Sequence, residues 1–106
     1  MPGDEVSGQA TASGDATLAI DHDSAAGRFT TTVDGHQGHV KYERDGDVLV
    51  ITHTVVPPQI GGRGIAGKLV RAAFEHARDQ GWKVRTVCSY AAAWVLRHPE
   101  FSTLMA

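Results

Sequence analysis

The stretch Val55-Val56-Pro57-Pro58-Gln59-Ile60-Gly61-Gly62-Arg63-Gly64-Ile65-Ala66 runs from an apolar strand, through a glycine-rich turn, into a helix. Glycines at 61, 62 and 64 let the backbone adopt positive φ and approach a ligand closely. The first turn of the following helix leaves several N–H groups without an intrahelical acceptor. Those donors and the positive end of the helix dipole favour a phosphate or pyrophosphate, and Arg63 can add a charge-assisted contact. A flexible strand-to-helix connection is the plainer reading of two adjacent glycines. Pro57-Pro58 stiffens the exit from the strand and the helix starts directly after Gly64, both of which favour an anion site. The loop is not a P-loop, because no Gly-Lys-Ser/Thr follows, nor is it the usual dinucleotide fingerprint.

Downstream, Ile65, Ala66, Leu69, Val70, Ala73, Phe74 and Ala77 recur at helical period, with Lys68, Arg71, Glu75, Arg78 and Asp79 opposite them. This predicts a helix over 65–80, stopped by Gly81. Residues 82–87 read as a strand, parallel to the one before the loop because a helix links the two. Ser89 is placed to cap a last helix reaching about residue 97, and Pro99 ends it.

Upstream the pattern is short strands. Residues 17–20 suggest a first strand and 21–27 a turn. Arg28-Phe29-Thr30-Thr31-Thr32-Val33 is β-branched and closes on Asp34-Gly35, a strong hairpin signal. The next strand, 36–44, puts Val40 and Tyr42 on one face and Lys41 and Glu43 on the other. After Asp45-Gly46-Asp47, residues 48–56 are apolar on both faces, the mark of an inner strand. The expected fold is α+β: an antiparallel four-strand meander, a helix, a parallel fifth strand and a final helix in one mixed sheet.

Residues 1–16 carry Gly, Ser, Ala, Thr and Asp without an apolar period and read as a disordered tail, leaving 17–106 as one small domain. Ten basic and twelve acidic residues give a net charge of −2, so no general basic field exists to hold nucleic acid or an anionic membrane. The longest uncharged apolar run, 90–96, is far short of the roughly 20 residues a bilayer-spanning helix needs. No basic-then-apolar leader is visible at the start, so a cytoplasmic location is expected. A single cysteine, Cys88, excludes an intramolecular disulfide and a cysteine-based zinc cluster. His36 and His39 are an odd number of residues apart on a strand, so they point to opposite faces and do not chelate one metal.

Five pieces, in this order and spacing, resemble the short single-domain branch of the GNAT-superfamily N-acetyltransferases. They are Arg28-Phe29 with Val33-Asp34-Gly35; His53-Thr54-Val55-Val56-Pro57-Pro58; Arg63-Gly64-Ile65-Ala66; Gly81-Trp82-Lys83-Val84; and Cys88 followed by Arg97-His98-Pro99-Glu100-Phe101. The resemblance runs from about Leu18 to Leu104. It implies a GNAT-like fold that binds acetyl-coenzyme A (acetyl-CoA) where the fourth and fifth strands splay. It places the pyrophosphate on the amides of Gly62, Arg63, Gly64, Ile65 and Ala66, and the pantetheine arm along the backbone of Thr54, Val55 and Val56. Gly61 occupies the loop position at which the superfamily has Arg or Gln.

The implied activity is acetyl transfer from acetyl-CoA to a primary amine of a small molecule or a protein lysine. The alternative is a module that binds CoA or acyl-CoA with little turnover; the missing loop side chain at Gly61 leans that way, and so do Val55 and Trp94. They stand where the short branch tends to have Glu and Tyr, removing a carboxylate base and a phenolic acid. Cys88, at the end of the fifth strand and ahead of a helix, is the leading catalytic candidate, as acyl acceptor or as a group touching the thioester. Its other reading is a small buried hydrophobe. His53 is the candidate base, with a histidine satisfied inside the sheet as its alternative. Tyr90 and Trp94 are assigned to packing, and His98 to capping helix carbonyls.

Overall fold

The computed structural model describes residues 18–106. A five-stranded sheet is laid down in chain order: β1 (Asp21–Asp23), β2 (Arg28–Val33), β3 (His36–Asp45), β4 (Val48–Val55) and, after α1 (Ile65–Gln80), β5 (Lys83–Thr86). The first three pairings are antiparallel, and β4 with β5 is parallel. Helix α2 (Ser89–Leu96) and a 3₁₀ segment (Pro99–Leu104) complete the fold, an α+β mixed sheet as expected. Residues 1–16, expected to be a disordered tail, lie outside the described residues.

Local chemistry accounts for most of these elements. Asp34 (φ 51°) and Gly35 (φ 79°) both take the left-handed region, which a two-residue hairpin turn between right-twisted strands requires. Helix α1 ends on Gly81 at φ 77°, whose N–H closes on the carbonyls of Ala77 and Arg78. The apolar stripe of α1 is buried as predicted: Leu69, Val70, Ala73, Phe74 and Ala77 have no exposed surface. They pack on Phe29, Val40, Tyr42, Leu49, Ile51 and Val84 from one face of the sheet, each large side chain contributing about 1.5–3 kcal/mol by burial. Helix α2 docks on the same side through Ala91, Trp94 and Val95, with Trp94 against Phe74 and Phe101. Among the described residues, the other face of the sheet carries no helix.

Beyond one-residue shifts at the ends of β3 and β4, three features differ from the sequence reading. The first strand is at Asp21–Asp23 rather than 17–20, in residues expected to turn. What holds it is aromatic: the His22 ring stacks on Phe29 at 4.1 Å between centroids and its Nε2 bonds the Tyr42 hydroxyl. The fifth strand is Lys83–Thr86, shorter at both ends than 82–87. Ser89 is the first residue of α2 and not its cap; Cys88 caps it, with extended φ/ψ and its carbonyl accepting from the Ala92 N–H at 3.1 Å.

Candidate functional site

The parallel pairing of β4 and β5 stops at Ile51 and Thr86. Beyond it the Ile51 carbonyl accepts from the amides of both Val87 (2.9 Å) and Cys88 (3.0 Å), and the chain turns away into α2. From Thr52 to Val55, therefore, β4 keeps its antiparallel partner β3 on one side, while its other edge faces a gap that β5 no longer fills. Backbone donors and acceptors on such an edge are free to pair with an extended ligand.

A bulge determines which side chains face that gap. Lys41 pairs with His53 and Tyr42 with Ile51, so Thr52 is an extra residue in β4. Its hydroxyl donates to the Lys41 carbonyl at 3.2 Å. Alternation restarts after it. Thr54, opposite the buried Val40, points to the helix side, whereas His53 and Val55, opposite Lys41 and His39, point to the helix-free face. Thr54 meets Cys88, whose Sγ lies 3.4 Å from the threonine Oγ1. His53 is exposed and contacts only the Thr52 hydroxyl through Nδ1, at 3.1 Å. The two catalytic candidates thus flank the gap from opposite faces and do not touch.

Partial burial pushes the Cys88 thiol up. Hydrogen bonds to its sulfur from the Thr54 hydroxyl and from the amides of Ala91, Tyr90 and Thr54 act the other way, and together they hold it below its ordinary value. The neutral thiol donates to Thr54; the ionised form accepts from it.

The loop between β4 and α1 is pinned at Ile60, fully buried at the end of a 3₁₀ turn over Pro58–Ile60 that the sequence reading did not resolve. Gly61 is extended, at φ −67°, and donates to the Pro58 carbonyl at 3.2 Å. Gly62 (φ 79°) and Gly64 (φ 75°) are left-handed and exposed, and a Cβ on either would meet nothing within 4 Å. Ile65 is buried beneath the loop and Ala66 half-buried. Since the Lys68 N–H already bonds the Gly64 carbonyl at 3.2 Å, the amides of residues 65–67 form the open end of α1. Arg63 does not point to that end in this state: its Nη1 donates to Asp34 Oδ2 at 2.7 Å, joining the loop to the β2–β3 hairpin.

Sequence reasoning missed a groove of about 310 Å³ between the first turns of α1 and the length of α2. Gly64, Gly67, Lys68, Arg71, Tyr90, Trp94, Arg97 and His98 line it. Gly67 makes the helices' close approach possible, since a Cβ there would lie 3.3 Å from Trp94 Nε1 and 3.4 Å from the Tyr90 hydroxyl. Lys68 and Arg71, one turn apart just past the glycine loop, were the available signal; Arg97 and His98 join them only through folding. Trp94 is core as expected, and His98 Nδ1 meets the Trp94 carbonyl at 2.9 Å, the structural role assigned to it. Among the described residues no group of three His, Cys, Asp or Glu side chains is arranged to hold a metal.

A bare helix end, two left-handed glycines and a cationic groove suit a phosphate-bearing ligand whose far end continues along the free edge of β4. Residues 28–104 match the GCN5-related N-acetyltransferase family model. Protein NATD1 of Gallus gallus is 31% identical over 85 residues, covering 77% of this chain and 77% of its own, and Protein NATD1 of Homo sapiens is 31% identical over 85 residues, covering 77% and 75%. The solution structure of a GCN5-like protein from Staphylococcus aureus superposes with a TM-score of 0.67 at 26% identity, over 84% of this chain and 88% of that one. With a family model spanning most of its sequence and a shared fold, this chain belongs to the GCN5-related N-acetyltransferase family.

Proposed function

We propose that the protein is an acetyl-CoA-dependent N-acetyltransferase acting on primary amines. What supports this is the edge of β4 that β5 leaves beyond Ile51, where the pantetheine arm would run along Thr54, Val55 and Val56, followed directly by the loop whose amides at Gly62, Arg63, Gly64, Ile65 and Ala66 would take the diphosphate. The residues present fit the carrier. Its diphosphate needs bare amides with no side chain in the way, which Gly62 and Gly64 provide, and Lys68, Arg71 and Arg97 supply cations in the adjoining groove. Acetyl-CoA supplies a thioester whose carbonyl an amine can attack with loss of the thiolate.

The two faces of the sheet divide the remaining work. On the helix side, Cys88 stands at the point where β5 leaves β4 and its sulfur is anchored by Thr54. It contacts the reacting thioester, and its lowered pKa also suits it to accept the acyl group itself. On the open side, His53 has Nε2 free and is placed to take the proton that the attacking amine must lose. Val55, 46% exposed on the same face, offers an apolar lip and no base.

Calorimetric titration with CoA, acetyl-CoA and ATP tests the ligand class, with binding of the first two and not the third expected. Label transfer from acetyl-CoA to an amine library then tests turnover: tight CoA binding without any transfer would leave a binding module in place of an enzyme. Intact mass after brief incubation separates the roles of Cys88. An added acetyl on the wild type that is absent from Cys88→Ser supports the covalent route, and an unmodified wild type that still turns over assigns the thiol to contact alone.

A further inference from the structure

The helix-free face of the sheet is electrostatically divided. At the end away from the gap, charges are balanced: Glu43, Asp45, Lys83 and Arg85 share the face, and Arg85 lies 3.7 Å from Asp45. Beside the gap they are equal in number but segregated, the cations Arg28 and Lys41 standing on β2 and β3 and both acids, Asp21 and Asp23, on β1 at the far edge. One cross-strand row reads Asp23, Arg28, Lys41, His53 and the next reads Asp21, Thr30, His39, Val55. Arg63, Arg71, Arg78 and Arg85 each meet an acid within 4 Å, whereas among the described residues Arg28 and Lys41, like Arg44 and Arg97, have no such pair, and Lys41 Nζ reaches only the Ala26 carbonyl, at 3.4 Å. Asp23 is the acid at the far end of the row, and its Oδ1 already accepts the Ala26 amide at 3.1 Å. His39 reports the resulting field: burial lowers its pKa first, and Arg28, His53 and Lys41 lower it further.

From this we infer that the acceptor is a lysine on an acidic peptide segment, seated across the open ends of β2, β3 and β4. The inference rests on the acetyltransferase reading above, because it places the acceptor amine at the gap beside His53 and Val55. Among the described residues no helix covers this face, which suits a chain laid across it better than an enclosed small molecule. Adjacent strands are about 4.8 Å apart, so Lys41 and Arg28 stand about 5 and 10 Å from β4. An extended peptide advances about 3.4 Å per residue, so its acidic side chains fall within about four residues of the lysine and on one side of it. A basic segment seated over β2 and β3 would meet like charge at Arg28 and Lys41.

The test uses N-acetylated, C-amidated peptides with one lysine flanked by glutamate, by glutamine or by arginine, with glutamates on the N-terminal side, the C-terminal side or both. Amide shifts of the CoA-saturated protein are followed by NMR, and kcat/KM for acetylation is measured beside them. The glutamate peptide is expected to shift amides in β2 and β3 and to be used about tenfold better than the glutamine peptide, with the arginine peptide poorest. One of the single-sided glutamate peptides should retain the advantage. Arg28→Glu and Lys41→Glu should abolish it, and the milder Arg28→Gln and Lys41→Gln should reduce it. Arg78→Glu, the same charge change on α1, should leave it in place. Free glutamate used as well as the glutamate peptide would overturn the peptide as occupant. CoA binding with no preference among the peptides, in shifts or in rate, would overturn the inference while the acetyltransferase reading stands; failure of CoA to bind would remove that reading instead.

Discussion

Gly64→Ala separates the loop's fold from its ligand. Gly64 sits at φ 75° with nothing within 4 Å of the Cβ an alanine would carry, so its cost to the free protein is conformational and not steric. A left-handed non-glycine residue costs roughly 1–2 kcal/mol, and stiffening the unfolded chain returns about 0.4–1 kcal/mol. The net loss is about 1 kcal/mol, a fall in Tm of about 4–8 °C for a domain of this size. Gly46, at φ 59° in the β3–β4 turn and equally free of neighbours, provides the yardstick: Gly46→Ala should lower Tm by a similar amount. Only at Gly64 does the methyl also intrude on the space above the amides of residues 62–66. Losing one charge-assisted hydrogen bond costs about 1.5–3 kcal/mol, so CoA should bind Gly64→Ala roughly 10- to 100-fold more weakly. Gly46→Ala should bind it like the wild type. Differential scanning fluorimetry and calorimetry on the three proteins decide the matter: equal Tm losses with wild-type CoA affinity for Gly64→Ala would refute the loop as the phosphate seat.

Other perturbations follow from the same structure. Gly27→Ala should be far more damaging than either turn variant, by about 3 kcal/mol or more, because Gly27 is left-handed at φ 70° and its Cβ would run into the Tyr42 carbonyl oxygen; chemical denaturation measures it. The Cys88 thiol should be alkylated by iodoacetamide with a pH midpoint below that of a cysteine peptide, and Thr54→Val, which removes a donor to the thiolate, should move the midpoint upward; a wild-type midpoint at or above the peptide's would remove the hydrogen-bond argument. His39 should titrate below 6.5 by NMR, and Arg28→Gln should move it part of the way back, burial remaining the larger cause. Because folding lowers this pKa, His39's contribution to stability is present above the unfolded value and lost as pH falls through the folded one. Tm should therefore drop on acidification below about pH 6.5, and less steeply in His39→Gln. His22, lowered chiefly by burial and then by His76, acts in the same direction.

The main elements were legible because their determinants are local. The 3.6-residue stripe of α1, Gly81 at its end and Asp34-Gly35 in the hairpin each act through neighbours in the chain. The glycine loop was readable for the same reason: its φ preferences and the open amides after it belong to a dozen consecutive residues. Apolar content misplaced β1, because the strand is held by stacking of His22 on Phe29 and by its bond to Tyr42, contacts distant in sequence. Ser89 has the chemistry of a cap, but the amides of Val87 and Cys88 are both held by Ile51, so the helix starts one residue sooner.

Sequence alone, then, determined the α+β order and the glycine-rich turn that leads into α1. Which side of the sheet Cys88 and His53 face was decided only by packing. One extra residue, Thr52, reverses the alternation along β4, sending Thr54 inward to Cys88 and His53 outward to Lys41. A bulge is a mismatch between two strands, so it belongs to the pairing and not to either strand's composition. The cationic groove and the segregated charges of the open face arise likewise from residues far apart in the chain, and only tertiary contact brings them together.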